Sequence, residues 1–524
     1  MKLIKINIFS LLVIIVMISS CKKNFLDRPP LAQVTTDNFY KSTSDLRLAT
    51  AAIYAQPWFG WNNFPYLGIG DIMSGNMLQP YNTGLVQFTT FSITGDNSYI
   101  NDSWRCFYDI TAHCNANIKA INTKLPDSVS VKSKNAALGE LKFLRATAYY
   151  HLAMLWGAVP IIEDNDKLIT NPLLPRHKLS DVYKFIINDL RFATTYLPTS
   201  DVPGRVTTWS AQGMLAKVYL TRAGLGQNIT RNQTDLDSAA YFAGKVCNSS
   251  GLALLPSYYN LFRTQYNDNA ESLFAFQWAP GVGYGNGNDI EAQFAPDGSL
   301  VTGGGGWGGA IGPTIDLYNQ YTTQDSIRRK ATFMLTGDKY PELNVANGGY
   351  TATGVNVKKH VVGTAADNNS PTMDLWSSVE HNTVLRLGDV YLIYAEALLG
   401  NNASTTNAEA LKFFNAIRTR AGVSTVASLT PAIIRKERRI ELAFEGQYWF
   451  DLVRWSYYDP QSAAASLNGQ TRQQFTYNKT TGVVTTTANG LIITPATAAT
   501  FTLPIPAAET TADPKLLAAP VAYY

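Results

Sequence analysis

Aromatic and amide side chains are bunched outside the helical stretches of this sequence, a pairing suited to holding a ligand through ring faces and hydrogen bonds. Trp and Tyr offer flat apolar faces, while Asn, Gln, Asp and Arg make directional hydrogen bonds to polar groups of a ligand. Trp58, Phe59, Trp61, Phe64 and Tyr66 place five aromatics in nine residues, around Asn62 and Asn63, with Pro57 and Pro65 as helix breakers. Tyr81, Phe88, Phe91 and Tyr99 follow beside Asn82, Asp96 and Asn97. A third group, Trp278, Tyr284 and Trp307, stands among glycines, whose small size lets a ligand approach the backbone. The candidate ligand-binding residues drawn from these groups are Trp58, Trp61, Asn62, Tyr66, Tyr81, Phe91, Asn97, Trp278, Tyr284 and Trp307. For each ring the alternative is core packing beneath long loops.

Bond-breaking chemistry has fewer parts. Asp71, Asp96, Asp289, Glu291 and Asp297 fall in loops, where two carboxylates roughly 5 to 9.5 Å apart would make a glycosidase. An all-α glycoside hydrolase is therefore the alternative reading. There is no G-x-S-x-G elbow, and no GK[ST] follows the run 303–309, which reads as a flexible loop. No CxxC or HxxxH spacing occurs and the five histidines are scattered, so no metal or other cofactor is expected. Cys106 and Cys114 lie eight residues apart in a helical stretch, about 12 Å along the axis and too far for a disulfide.

Cys21 is the remaining reactive position. It follows an apolar run over 6–18, with Lys2 and Lys5 before it and Ser19-Ser20 at the junction. The run is short for a helix crossing ~30 Å of hydrocarbon, so 1–20 reads as a lipoprotein signal peptide and Cys21 as the acylated first residue of the mature chain. The alternative is an N-terminal membrane anchor that ends in Cys. Removing Lys2 and Lys5 with the leader takes the formal charge from +4 to +2, and the densest basic segment, 435–439, is interleaved with Glu437 and Glu441. That pattern is a salt-bridged helix face, not a nucleic-acid stripe.

Three- and four-residue apolar steps predict helices over 39–54, 104–121, 140–156, 181–196, 209–222, 235–249, 387–399, 407–420 and 431–457. The clearest stripe is Leu141, Leu144, Ala148, Leu152 and Leu155, closed by Gly157 and Pro160. Trp156, Trp209, Trp449 and Trp455 belong to such stripes and are assigned to the core. Residues 256–384 are rich in Gly, Asn, Tyr and Thr and read as a loop-rich insertion; 475–503 reads as strands and turns. The chain is thus a mainly α scaffold, about 36–255 and 385–458, with that insertion and an irregular segment 459–524. Residues 21–524 read as a single domain.

Six segments, in order, resemble the SusD/RagB family of outer-membrane nutrient-binding lipoproteins. They are CKKNFLDRPP (21–30), LGELKFLRATAYYHL (138–152) with Trp156-Gly157, LRLGDVYLIYAEA (385–397), NAIRTRAG (415–422), IRKERRIELAFEG (434–446) with WFDLVRW (449–455), and LPIP (503–506). The resemblance implies tetratricopeptide-like helix pairs and a ligand site in the irregular half. It also implies a surface lipoprotein on the outer membrane that binds glycans and passes them to a TonB-dependent (SusC-like) transporter without catalysis. Within the family, peptide or another nutrient is the alternative ligand, and a helical scaffold for the transporter is an alternative role. Phe91 and Asn97 fall in the stretch before Trp104 that corresponds to part of the family's aromatic arc.

Overall fold

The computed structural model describes residues 35–524, so the leader and Cys21 lie outside the described residues. Five long helices come first: α1 (Ser98–Lys124), α2 (Val131–Trp156), α3 (Leu179–Tyr196), α4 (Thr208–Arg222) and α5 (Gln233–Ser249). Each packs on the next, even α2 and α3, which the long segment 157–178 joins. The chain later returns with α6 (Leu387–Leu399), which packs on α5, then α7 (Ala408–Arg420), α8 (Pro431–Glu441) and α9 (Tyr448–Ser456). The result is the expected row of helix pairs. In α2 the stripe Leu141, Leu144, Ala148, Leu152 and Leu155 is wholly buried. The Ser130 hydroxyl caps its start by accepting from the Ser133 N–H, and Gly157 at φ 70° ends it.

Two expected helices are broken. The segment 39–54 divides because Ser42 caps a fresh helix, Thr43–Ala51, by accepting from the Asp45 N–H. The segment 431–457 divides between α8 and α9, where Phe444 and Gly446 adopt φ of 62° and 67°. The buried Asp71 carboxylate holds that turn by accepting from the Phe444 and Gly446 N–H groups, both at 3.0 Å. A Cβ on Gly446 would run into the Tyr66 ring, which fixes glycine there.

Ion pairs join the helices across their packed faces. Arg145 on α2 makes a fork onto Asp189 of α3, at 2.8 and 3.0 Å, and Lys217 of α4 reaches Asp389 of α6 at 2.9 Å. The residues read along one helix as Glu437, Glu441 and Glu445 find their cations elsewhere in the chain: Arg328 on Glu437 and Glu441, Arg386 on Glu441 and Glu445, Lys359 on Glu445. Arg420 adds bonds to Glu271 and Glu441. Each of these buried acids thus has at least one charged donor, which is what makes its burial tolerable.

The loop-rich segment is tied at its neck. Strand β1 (Ser272–Phe276) pairs antiparallel with β2 (Asn382–Arg386), so 277–381 leaves and re-enters the scaffold at one place. The C-terminal segment runs back over the first helices: the Leu503 N–H donates to the Leu155 carbonyl, the Trp156 indole to the Pro504 carbonyl, and the Val521 N–H to the Arg176 carbonyl. Only 474–477 and 484–487 of the expected strand region pair as a hairpin. No helix among the described residues is long and apolar enough to cross a membrane.

Candidate functional site

The structure corrects the placement of most of the expected ligand-facing residues. Trp58 is fully buried, stacked on Phe276 at 4.8 Å with its indole N–H on the Ile53 carbonyl. Trp61 packs among Phe107, His151 and Phe450, and Tyr66 lies against His360. Trp278 donates to Asn382 at 2.8 Å from inside the core. Pro57 and Pro65 do not open a loop here; each sits in the first turn of a short helix, where its missing N–H costs nothing. The buried amides are structural as well. Asn62 donates to Asn288, and Asn97 caps α1 while donating to the Gly84 carbonyl and to Gln87. Phe91 is half-buried beneath the Arg472 guanidinium, 4.3 Å from its ring centre. Tyr81 is 79% exposed and has no aromatic neighbour among the described residues.

Tyr284 and Trp307, in contrast, stand out of the surface at 56% and 53% exposure, and a ring that sequence reasoning passed over joins them. Trp376 stacks on Trp307 with centroids 4.5 Å apart and planes within 10°, and meets Tyr284 edge-on at 5.5 Å. The half-buried Phe59 extends the row, 5.2 Å from Tyr284, and the Asn63 amide donates to the Tyr284 hydroxyl at 3.0 Å. The outcome is a patch of rings with amides at its edge, all on turns of the loop-rich half and its neighbour segment 56–67.

Backbone geometry fixes those turns. Gly303, Gly304, Gly305 and Gly306 all have positive φ, between 79° and 106°, a conformation glycine adopts at little cost. A Cβ on Gly306 would strike the Asp297 backbone, and one on Gly308 the Phe294 carbonyl. The glycine run is therefore pressed onto protein backbone at Gly306 and Gly308: it is a fitted turn that projects Trp307, not the flexible loop expected from sequence. The Trp307 N–H itself donates to the Ala292 carbonyl at 3.0 Å. Trp376 sits at φ 65° in a turn that Ser377 and Ser378 fasten to the turn-rich stretch at 279–288. Gly287 is packed so closely there that a Cβ would lie 2.5 Å from the Ser377 hydroxyl.

Comparison with known proteins then settles the family. A family model described as the SusD family matches residues 330–523, and one described as starch-binding associating with outer membrane matches residues 25–220. A SusD-like protein of Bacteroides ovatus is 38% identical over 456 residues, covering 87% of this chain and 83% of that protein. The chain belongs to the SusD family. Among solved structures, one crystallised with xylogluco-oligosaccharide is 36% identical to this SusD-family chain, with a TM-score of 0.86 over 91% of it and 99% of the other. Surface glycan-binding protein A from Bacteroides thetaiotaomicron, solved with laminarihexaose, shares the fold at 20% identity and TM-score 0.70, over 90% of this chain and 98% of that one.

In this SusD-family protein most of the carboxylates that could have served a hydrolase are tied into hydrogen bonds within the protein. Glu291 is buried and accepts from the Val362 and Gly363 N–H groups, at 2.8 and 2.6 Å; burial raises it well above the usual carboxylate range. Asp71 holds the α8–α9 turn, and Asp297 caps the short turn at Gly298–Leu300. Asp289 starts an amide chain: Gln293 donates to it at 2.7 Å and to Asn63 at 2.6 Å, and Asn63 donates to Tyr284. One Asp289 oxygen has no partner, and burial pushes its pKa up to about 7.

The raised pKa of Asp289 gives a prediction for stability. The folded state holds this proton more tightly than the unfolded chain, whose Asp titrates near 3.9, so stability from the group falls as pH rises from about 4 to about 7. Asp289→Asn should match the parent near pH 4 and exceed it above pH 7 by up to about 4 kcal/mol, since each tenfold difference in proton affinity between the two states is worth ~1.4 kcal/mol. Urea unfolding at both pH values checks this; parallel profiles for parent and variant would contradict it.

Phe59 and Asn63 were visible in sequence as part of the first aromatic cluster. Trp376 was not, because it stands alone in Asp374-Leu375-Trp376-Ser377-Ser378. The signal it does carry is a large ring set between Asp374 and the Ser377-Ser378 pair, outside any expected helix or strand.

Proposed function

We propose that the protein is a non-catalytic glycan-binding lipoprotein of the outer membrane, and that the rings of Trp307, Trp376 and Tyr284 are where the sugar rests. One observation carries this reading: three large aromatic side chains stay wholly or partly open to solvent, rigidly seated and in mutual contact, while most of the other Trp side chains are packed away. Open ring area of this kind has a desolvation gain waiting for a flat apolar partner, and the C–H face of a pyranose is one. The relative crystallised with xylogluco-oligosaccharide, at 36% identity, makes that class of oligosaccharide the first ligand to offer. Cys21 would carry the lipid, and a TonB-dependent (SusC-like) transporter would receive the glycan.

Titration calorimetry of the mature protein against xylogluco-oligosaccharides, laminarin oligosaccharides and starch oligosaccharides tests the reading. Saturable binding to at least one of them, with no new reducing ends after prolonged incubation, is expected. No heat with any of them, or steady release of reducing ends, would contradict it.

A further inference from the structure

Beside the aromatic patch an open cleft of about 350 Å³ runs along α1. Phe59, Asn63 and Tyr284 form one wall; Asp102, Arg105 and Asp109 form the other. The three α1 residues recur at steps of three and four, so they line one face of the helix over about 10 Å, at 1.5 Å per residue. Tyr284 belongs to both features, since it touches Trp376 on one side and lines the cleft on the other.

What distinguishes this wall is that its polar groups are uncommitted. Asp71, Asp289 and Glu291 all accept hydrogen bonds from the protein. Asp102 and Asp109, among the described residues, accept none through their side chains, and both are exposed. Arg105 has only a long 3.9 Å approach to Glu509. The cleft therefore offers carboxylate acceptors and a guanidinium donor next to a phenol and a phenyl ring. Neutral, hydroxyl-rich chains use that set of groups well: a carboxylate accepts from hydroxyls and Arg donates to them.

We infer that the cleft is a second subsite for the same glycan, so that a long oligosaccharide lies across Trp307 and Trp376, passes Tyr284 and continues between Asn63 and α1. This rests on the platform reading above and adds a length requirement to it. The protein then selects extended chains over short fragments, because only an extended chain reaches the hydroxyl-binding wall.

Calorimetry of the mature protein with xylogluco-oligosaccharides of one and of three repeat units tests it. The parent should bind the longer one at least about 10-fold more tightly. The Asp102→Ala/Asp109→Ala double variant and Arg105→Ala should remove that advantage and leave the short ligand within about twofold, whereas Trp376→Ala should weaken both. Because all three α1 side chains are exposed, the variants should fold, and matching thermal melts would verify it. If the cleft variants keep the full length preference while Trp376→Ala abolishes binding, the subsite is wrong and the platform stands. Equal weakening of both ligands by the cleft variants overturns the subsite too. If the parent binds neither ligand, the platform reading fails and the subsite with it.

Discussion

Trp376→Ala is expected to weaken oligosaccharide binding by about 100-fold while leaving the fold intact. The size follows from the usual cost of truncating a central aromatic contact, ~2–4 kcal/mol, with 1.4 kcal/mol for each factor of ten. Trp376 is central in the plain sense that it touches both other rings of the platform. Its removal deletes one sugar-facing surface and unseats a second, because Trp307 loses the ring it stacks on. Stability should change little: Trp376 is only half-buried and its indole makes no hydrogen bond among the described residues. Calorimetry with the best-binding oligosaccharide, beside thermal melts, measures both quantities. A binding constant within threefold of the parent would remove Trp376 from the site.

The largest stability loss is expected from Arg386→Met. Arg386 is buried and donates to Glu445 at 2.8 and 2.9 Å, to Glu441 at 2.8 Å, and to the Glu441 carbonyl at 2.9 Å. Its loss leaves two buried carboxylates short of a partner, and removing one member of a buried pair costs about 3–5 kcal/mol. Arg386→Met/Glu441→Gln should recover part of the loss, because one buried negative charge goes with the cation while Arg328 keeps Asp325 and Glu437, Arg420 keeps Glu271 and Lys359 keeps Glu445. Glu445 adds a pH signature. Despite the opposing effect of its burial, Arg386 and Lys359 hold it down to about 2, below its unfolded value near 4.3. A depressed native pKa gives stability that is present above about pH 4.3 and lost as pH falls toward 2. Urea unfolding of parent, single and double variants at pH 7 and at about pH 2.5 reads all of this. A single variant as stable as the parent, or less stable than it by the same margin as the double, would contradict the account.

The helical frame was legible because its cause is local. Leu141, Leu144, Ala148, Leu152 and Leu155 announce a buried face through their spacing, and α2 buries that face. Boundaries were less so: the break between α8 and α9 depends on Asp71, which reaches it from 373 residues away in sequence. The site was half legible for the same reason. Trp58 and Trp307 are alike as residues, and what separates them is distant: Trp58 meets Phe274 and Phe276 of β1, whereas Trp307 has Trp376 as its ring partner and stays half open to solvent. Composition marks a ring as able to bind a sugar or fill a core, and long-range packing decides between the two. The glycine run carried a real signal that was read wrongly. Gly303, Gly304, Gly305 and Gly306 take positive φ, and Asp297 and Phe294 crowd Gly306 and Gly308, which no local pattern reveals.

If the open rings rather than the buried ones receive the glycan, each tryptophan should report it separately. Fluorine NMR of protein labelled with 5-fluorotryptophan, its signals assigned by single Trp→Phe variants and titrated with xylogluco-oligosaccharide, reads them ring by ring. Saturable shifts are expected for Trp307 and Trp376, with Trp58, Trp61 and Trp278 unmoved. Shifts confined to the buried tryptophans, or signals from Trp307 and Trp376 that stay fixed while calorimetry registers binding, would place the sugar elsewhere.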